Sequence, residues 1–177
     1  MYYTIKVQIR GITKPPVWRR LEVPGDDTLY DLHYAIQDAF GWTNDHLYAF
    51  ADKTGRAWRT DPPETPFDAP NPDITVEEYF HIVGGKGLYV YDFGDRWEHL
   101  ITVEKAENGE IKRCSCLAGK GACPPEDCGG SWRYEYIKKL MAGNDPEDEE
   151  DRKSWMEWLG IESPAEFDPN ACKYPPR

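Results

Sequence analysis

Four of the five cysteines of this chain lie within one short segment, Cys114–Cys128. Their spacing is C-x-C-x6-C-x4-C, and cysteine thiolates at short spacings are common ligands of structural zinc. Such sites mostly use pairs of ligands two to four residues apart, which this spacing matches poorly. Buried apolar thiols and a labile disulfide are the alternatives. The residues of the predicted zinc site are Cys114, Cys116, Cys123 and Cys128.

A second group of reactive side chains lies in an aromatic segment, 89–99, and in a Pro-Pro-Glu-Asp motif, 124–127. Their carboxylate and imidazole groups suit a divalent cation, so we predict one pocket where the two motifs meet. The alternative is that these acids bind backbone amides of their own turns. The predicted pocket residues are Asp92, Asp95, Trp97, His99, Glu126 and Asp127.

The turn of the aromatic segment determines what faces Asp92. A turn at Gly94-Asp95 puts Asp92 opposite Trp97, whereas a turn at Asp95-Arg96 puts it opposite His99. Two-residue turns need residues that tolerate positive φ, which favours Gly94-Asp95.

The elements that must position these residues follow from hydrophobic periodicity. Alternating residues at 3–9 and 17–23 predict an antiparallel hairpin, and an apolar stripe over 29–40 predicts a helix. Thr28 and Gly41 are its expected caps, and His33 falls off the stripe and is expected to be exposed. A strand at 46–51 completes a β-grasp-like order of hairpin, helix and strand.

The second half of the chain predicts an aromatic hairpin, 88–93 with 97–103, and then an irregular cysteine loop. Helices should begin at Ser131 and at Pro146. The predicted fold class is α+β, with a mixed β-sheet. We predict one domain, 1–177, made of a β-grasp-like half (1–60), a hairpin, Cys/PPED loop and helix (73–142), and a C-terminal helix and tail (143–177).

Charge and hydropathy limit the function. The net charge of −11 disfavours nucleic acid as a partner, because that affinity comes largely from Lys and Arg. The sequence has neither a signal-peptide pattern nor an apolar run of membrane-spanning length, so we expect a cytoplasmic protein.

Three segments carry a resemblance to a known family. They are Ile5–Arg10 with Pro16–Arg20, then 89–99, and then Pro124–Gly130. On these the chain resembles the plasmid Ri ORF-3-like family, also described as passenger TnpR-like proteins of insertion elements. The resemblance implies little about activity. A serine recombinase would need an N-terminal serine, and the first serine of this chain is Ser115.

Three functions remain open. The first is a non-catalytic binding or interaction protein, with another protein as its partner and no certain cofactor. The second is a metal-dependent hydrolase that uses the acids and the histidine of the two motifs with a divalent cation. The third is a structural zinc protein.

Overall fold

The strands of both predicted hairpins lie in one sheet. The computed structural model describes residues 1–52, 54, 57–61, 74–143 and 149–159, with the backbone alone for 57–61 and 159. The strands are β1 (Tyr2–Ile9), β2 (Trp18–Pro24), β3 (Tyr48–Ala51), β4 (Ala57–Asp61), β5 (Lys86–Tyr91), β6 (Trp97–Glu107) and β7 (Ser115–Lys120). The helices are α1 (Leu29–Phe40), α2 (Val76–Val83), α3 (Gly130–Ala142) and α4 (Glu149–Leu159).

The strand order is β4-β3-β5-β6-β1-β2-β7. The α+β class is confirmed. Every ladder between these strands is antiparallel, whereas a mixed sheet was expected. The predicted order of hairpin, helix and strand is present, but β3 pairs with β5, and it is β6 that lies beside β1. The N-terminal hairpin is therefore continued by the aromatic hairpin and not by β3.

One face of the sheet is buried and the other meets solvent, as is common for antiparallel sheets. Ile5, Val7 and Ile9 of β1 are fully buried within the core. On the opposite face, Arg20 donates from Nε to Glu104 Oε2 at 2.6 Å. The alternation places the core between the sheet and the helices.

Helix α1 begins and ends where the sequence predicts. Thr28 and Asp31 form a capping box, and Gly41 ends the helix with a left-handed backbone, φ 85°. The expectation that His33 is exposed is wrong, since its side chain is fully buried. Its ring stacks on Tyr48 with centroids 3.6 Å apart, and its Nδ1 hydrogen-bonds Tyr89 Oη at 2.9 Å. These contacts satisfy an imidazole inside the core, which the helical periodicity alone does not reveal.

Two predictions for the cysteine segment need correction. Part of the expected irregular loop is the edge strand β7, in which Cys116 pairs with Leu21 of β2. Helix α3 begins at Gly130 and not after Ser131, because Gly129 precedes it with φ 93°. Such a φ suits glycine, so a glycine pair rather than a serine cap sets this start. The predicted helix start at Pro146, the proline-rich segment before α2 and the C-terminal tail lie outside the described residues.

A buried arginine joins the sheet, helix α1 and the cysteine segment. Arg19 is 2% exposed, and its Nε donates to Ala39 O at 2.8 Å. A guanidinium has five donors in a fixed plane, so one side chain can satisfy several carbonyls at once. Its Nη1 donates to three further carbonyls, those of Trp18, Lys120 and Gly121.

We expect Arg19→Lys to lower the free energy of unfolding by about 2 to 4 kcal/mol, because an ammonium cannot reach all these carbonyls. Urea denaturation measures the change. The control is Arg20→Lys on the solvent face, where the ion pair with Glu104 is partly exposed and the loss should stay within about 1 kcal/mol. Equal losses for the two variants would contradict this role of Arg19.

Candidate functional site

The loop between β7 and α3 is held against the rest of the protein at several points. We call residues 121–129 the PPED loop. Each anchor is a hydrogen bond between a backbone group of the loop and a side chain of another segment. They are Tyr134 Oη to Ala122 O (3.1 Å), Trp42 Nε1 to Pro124 O (2.9 Å), and Gly129 N to Asp95 Oδ2 (2.8 Å).

Glu126 supplies a further anchor, and its two carboxylate oxygens differ. Oε1 accepts from Tyr91 Oη at 3.0 Å and from Thr43 N at 3.0 Å. The Tyr91 hydroxyl in turn accepts from Asp45 N at 3.1 Å. Burial, together with the neighbouring Glu126 carboxylate, raises the pKa of Tyr91 above its ordinary value, so this hydroxyl stays a donor. Oε1 is thus saturated, and Oε2 lies on the other side of the carboxylate, 3.8 Å from His46 Nε2.

His46 lies at the centre of three carboxylates. Its Nε2 is 3.3 Å from Asp127 Oδ1 and 3.8 Å from Glu126 Oε2. Its Nδ1 is 3.8 Å from Asp92 Oδ1, which accepts from Gly94 N at 2.8 Å. His46 Nε2 and Glu126 Oε2 are both buried and have no hydrogen-bond partner among the described residues. Burying polar atoms without hydrogen-bond partners costs free energy unless another group or ion binds them.

Left-handed backbone is concentrated in the loops that carry these groups. Asn44, Asp92, Arg96 and Asp127 have φ of 61°, 54°, 53° and 56°. Non-glycine residues in this region are uncommon, although Asn and Asp tolerate it best. Such backbone is found preferentially at binding and catalytic sites. Asp92 and Asp127 therefore take their positions through backbone that few other residues would adopt.

The donor atoms have a separation that suits a metal ion. One ligand atom each from His46, Asp92 and Asp127 lie within 4.8 Å of one another. Glu126 is outside that group and approaches it through Oε2, which lies 3.8 Å from His46 Nε2. Two ligands with bonds of about 2.1 Å at a tetrahedral angle are about 3.4 Å apart. The distances of 3.3 and 3.8 Å from His46 Nε2 to the nearest carboxylate oxygens bracket that value.

The hairpin turn differs from both predicted registers. Tyr91 pairs with Trp97, and Tyr89 pairs with His99, so Asp92 lies opposite neither Trp97 nor His99. The turn contains five residues and is closed by a hydrogen bond from Arg96 N to Asp92 O at 2.6 Å. This geometry leaves Asp92 at the end of β5, beside His46.

Two of the predicted pocket residues lie in the core. Trp97 and His99 are fully buried, and the His99 ring lies 5.1 Å from both the Phe40 and the Trp42 rings. His99 Nδ1 donates to Tyr89 O at 3.3 Å. Burial lowers the pKa of His99 from 6.5 to about 3, so the imidazole is neutral near pH 7. The structure brings Asp92, Glu126 and Asp127 around His46, which takes the place expected for His99. Asp95 instead accepts a hydrogen bond from Gly129 N.

The four predicted zinc ligands are not gathered into a metal-binding group. No cysteine belongs to the group of three or more ligand atoms found within the described ranges. The Cys114 thiol donates to Asp27 Oδ2 at 3.4 Å. Burial raises the pKa of the Cys114 and Cys123 thiols, and it raises the pKa of Cys128 to about 12.

His46 was missed because it occupies a short polar loop, 43–46, between the end of α1 and β3. The strand predicted at 46–51 includes it, and nothing in its spacing indicates a candidate ligand. A signal was nevertheless present. Polar residues that follow a helix C-cap lie in a loop, and loops between rigid elements carry functional groups disproportionately.

The chain is thus an α+β protein with a cluster of one histidine and three carboxylates at one end of an antiparallel sheet. The chain belongs to the plasmid pRiA4b ORF-3-like protein family, whose model matches residues 1–174. It is 36% identical over 151 residues to the uncharacterised protein y4hQ of Sinorhizobium fredii, covering 83% of this chain and 75% of that one. A crystal structure of a protein of unknown function from Methanosarcina mazei Go1 is similar, with TM-score 0.80, 32% identity and 98% of each chain covered.

None of the helices in the described ranges combines the length and the apolarity needed to cross a membrane.

Burial of His99 predicts a pH dependence of stability. The unfolded state binds a proton near pH 6.5 and the folded state only near pH 3, so acid favours unfolding. Between these values His99 should lower the free energy of unfolding by up to about 1.4 kcal/mol per pH unit as pH falls, with no loss above pH 6.5. Urea unfolding of wild type and His99→Asn across this range measures the slope, which should be shallower in the variant. His81→Asn on helix α2 is the control. An NMR titration in which His99 protonates near pH 6.5 would contradict the assignment.

The two oxygens of Glu126 predict different effects for two substitutions. Glu126→Gln keeps an acceptor for Thr43 N and Tyr91 Oη, so stability should change by no more than about 0.5 kcal/mol. Glu126→Ala leaves both donors without that acceptor and should cost about 1 to 3 kcal/mol. Urea denaturation of both variants is the test, and equal losses would show that Oε1 does not hold the loop.

Proposed function

We propose that this protein binds a divalent transition-metal cation through His46 Nε2, Glu126 Oε2 and Asp127 Oδ1, with Asp92 beside the imidazole. The observation that carries the proposal is the pair of buried atoms, His46 Nε2 and Glu126 Oε2, which face each other across 3.8 Å without hydrogen-bond partners. Neither atom can satisfy the other when the imidazole is deprotonated at Nε2. A cation between them would satisfy both.

Charge supports the same conclusion. Asp92, Glu126 and Asp127 bring three carboxylates to one imidazole in a chain whose net charge is already −11. Like charges at such separations repel one another, and their cost falls when a cation binds them. Functional sites commonly retain such destabilising repulsion because the same charges are needed to bind the ligand.

The donor set points to a class of metals. Imidazole nitrogen with carboxylate oxygen suits Mn²⁺, Fe²⁺, Co²⁺ and Zn²⁺, while Mg²⁺ and Ca²⁺ prefer oxygen ligands throughout. Asp92 is placed to orient His46 from the Nδ1 side, a role that carboxylates often have toward metal-binding histidines. A metal-dependent hydrolase would use the same centre to activate water, with His46 rather than His99 as its histidine.

A protein-interaction function is a second candidate, and one observation favours it. Trp132 and Tyr136 lie one turn apart on α3 and are 79% and 54% exposed. Exposed aromatic side chains of this size are enriched at protein interfaces. Chemical cross-linking of the wild-type protein and of Trp132→Ala tests this role. The same cross-linked partners for both proteins would argue against it.

Titration of EDTA-treated protein with Mn²⁺ tests the cation site, because Mn²⁺ discriminates against thiols. We expect one bound ion per chain, with affinity reduced about tenfold or more in Asp127→Asn, His46→Gln and Glu126→Gln. Asn tolerates left-handed backbone, so Asp127→Asn removes the charge while the loop keeps its shape. Its apo form should be as stable as wild type or more stable.

The controls are His81→Gln and Cys114→Ser, which should bind Mn²⁺ as wild type does. No binding by the wild-type protein would contradict the proposal. Mn²⁺ binding that survives both Asp127→Asn and His46→Gln would contradict it equally. Zinc that is bound by the wild-type protein and lost from Cys114→Ser would instead support a site made of thiols.

A further inference from the structure

A cavity of about 490 Å³ opens beside the proposed cation site, and Asp127 belongs to both. Its walls come from the end of the PPED loop, from Arg133 on α3, and from Trp155 and Trp158 on α4. The Asp127 side chain is 74% exposed, and it is the residue that the cavity lining shares with the proposed cation site. The volume lies within the range of about 300 to 1,000 Å³ that is usual for small-molecule sites.

Gly129 positions the arginine of this cavity. A Cβ at Gly129 would lie 2.8 Å from Arg133 Cδ, so the absence of a side chain lets the arginine stem lie on the loop. The guanidinium carbon then lies 5.5 Å from the centre of the Trp155 ring. Asp95 holds Gly129 through its backbone N–H, at 2.8 Å. The end of the PPED loop therefore carries the Asp127 carboxylate and, at Gly129, leaves room for the Arg133 side chain beside it.

The remaining wall is aromatic. The rings of Trp155 and Trp158 meet edge to face with centroids 5.3 Å apart, and Trp158 is 48% exposed. An indole face accepts a planar ring by stacking, while a guanidinium binds phosphate or carboxylate oxygens through paired N–H donors. The cavity thus combines a surface for a planar ring with a positive group for an anion.

We infer that this cavity binds a small anion that bears a planar ring, and that the anionic group bridges the bound cation and Arg133 while the ring stacks on the indoles. The inference rests on the proposed cation-binding function. Three protein ligands leave coordination positions of a divalent metal for a ligand oxygen. The net charge of −11 opposes anion binding in general, so this ligand should require the cation.

The experiment is calorimetric titration of the intact protein with AMP, in the presence and absence of saturating Mn²⁺. AMP supplies the planar ring and the phosphate, ribose phosphate supplies the phosphate alone, and adenosine supplies the ring alone. We expect AMP to bind in the presence of Mn²⁺ and each partial probe to bind about tenfold more weakly or worse. Without Mn²⁺, AMP binding should be lost.

Arg133→Gln and Trp158→Ala should each weaken AMP binding about tenfold and leave Mn²⁺ affinity unchanged, because neither side chain is a proposed metal ligand. Lys139→Gln and Trp132→Ala are the matched controls, as an exposed cation and an exposed indole of α3 outside this cavity. Both should bind AMP as wild type does.

The outcomes separate the two proposals. Mn²⁺ binding without AMP binding, or AMP binding that both cavity variants retain, overturns the ligand site and leaves the cation site standing. AMP binding that is independent of Mn²⁺ overturns the bridging arrangement. Failure of Mn²⁺ to bind overturns the proposed function, and the cation-dependent ligand site falls with it.

Discussion

The Glu126 carboxylate is the interaction on which the site depends. One oxygen accepts hydrogen bonds from Thr43 and Tyr91, and so joins the loop after α1, the end of β5 and the PPED loop. The other oxygen stays buried and faces His46. A single side chain therefore joins three segments that are remote in sequence. Its Oε1 makes these hydrogen bonds, while its Oε2 has no hydrogen-bond partner among the described residues.

The rest of the scaffold serves this junction. Arg19 binds carbonyls at the end of α1 and at the start of the PPED loop, and Asp95 holds the loop's other end at Gly129. Between these anchors Asp127 lies in left-handed backbone with an exposed carboxylate. A fixed support beneath an exposed carboxylate is an arrangement that binding sites favour, because the entropic cost of ordering the loop is met on folding.

The fold was largely predictable because its elements follow local periodicity and capping. The β1–β2 hairpin, helix α1 with its caps and the aromatic hairpin are as expected. Strand β7 was not predictable, because its residues lack the alternation of apolar and polar side chains, and the strand forms through pairing with β2. The burial of His33 and His99 is not evident from the sequence for a related reason. A histidine that is satisfied by buried partners looks the same in sequence as an exposed one or a ligand.

The site was predicted in part. That the PPED loop packs against the turn after β5 followed from the two motifs, and Asp92 of one motif lies close to Asp127 of the other. His46 could not be placed, because the register of β3 beside β5 brings it to Asp92, and that pairing is set by the whole sheet. Which histidine lies beside the carboxylates is thus decided by tertiary structure, whereas the carboxylates themselves are recognisable in the sequence motifs.

Anomalous diffraction from a crystal of the protein soaked in Mn²⁺ tests the central claim most directly. We expect one anomalous peak within bonding distance of His46 Nε2, Glu126 Oε2 and Asp127 Oδ1. A protein that diffracts well in saturating Mn²⁺ and shows no peak there, or shows its peak elsewhere, would contradict it.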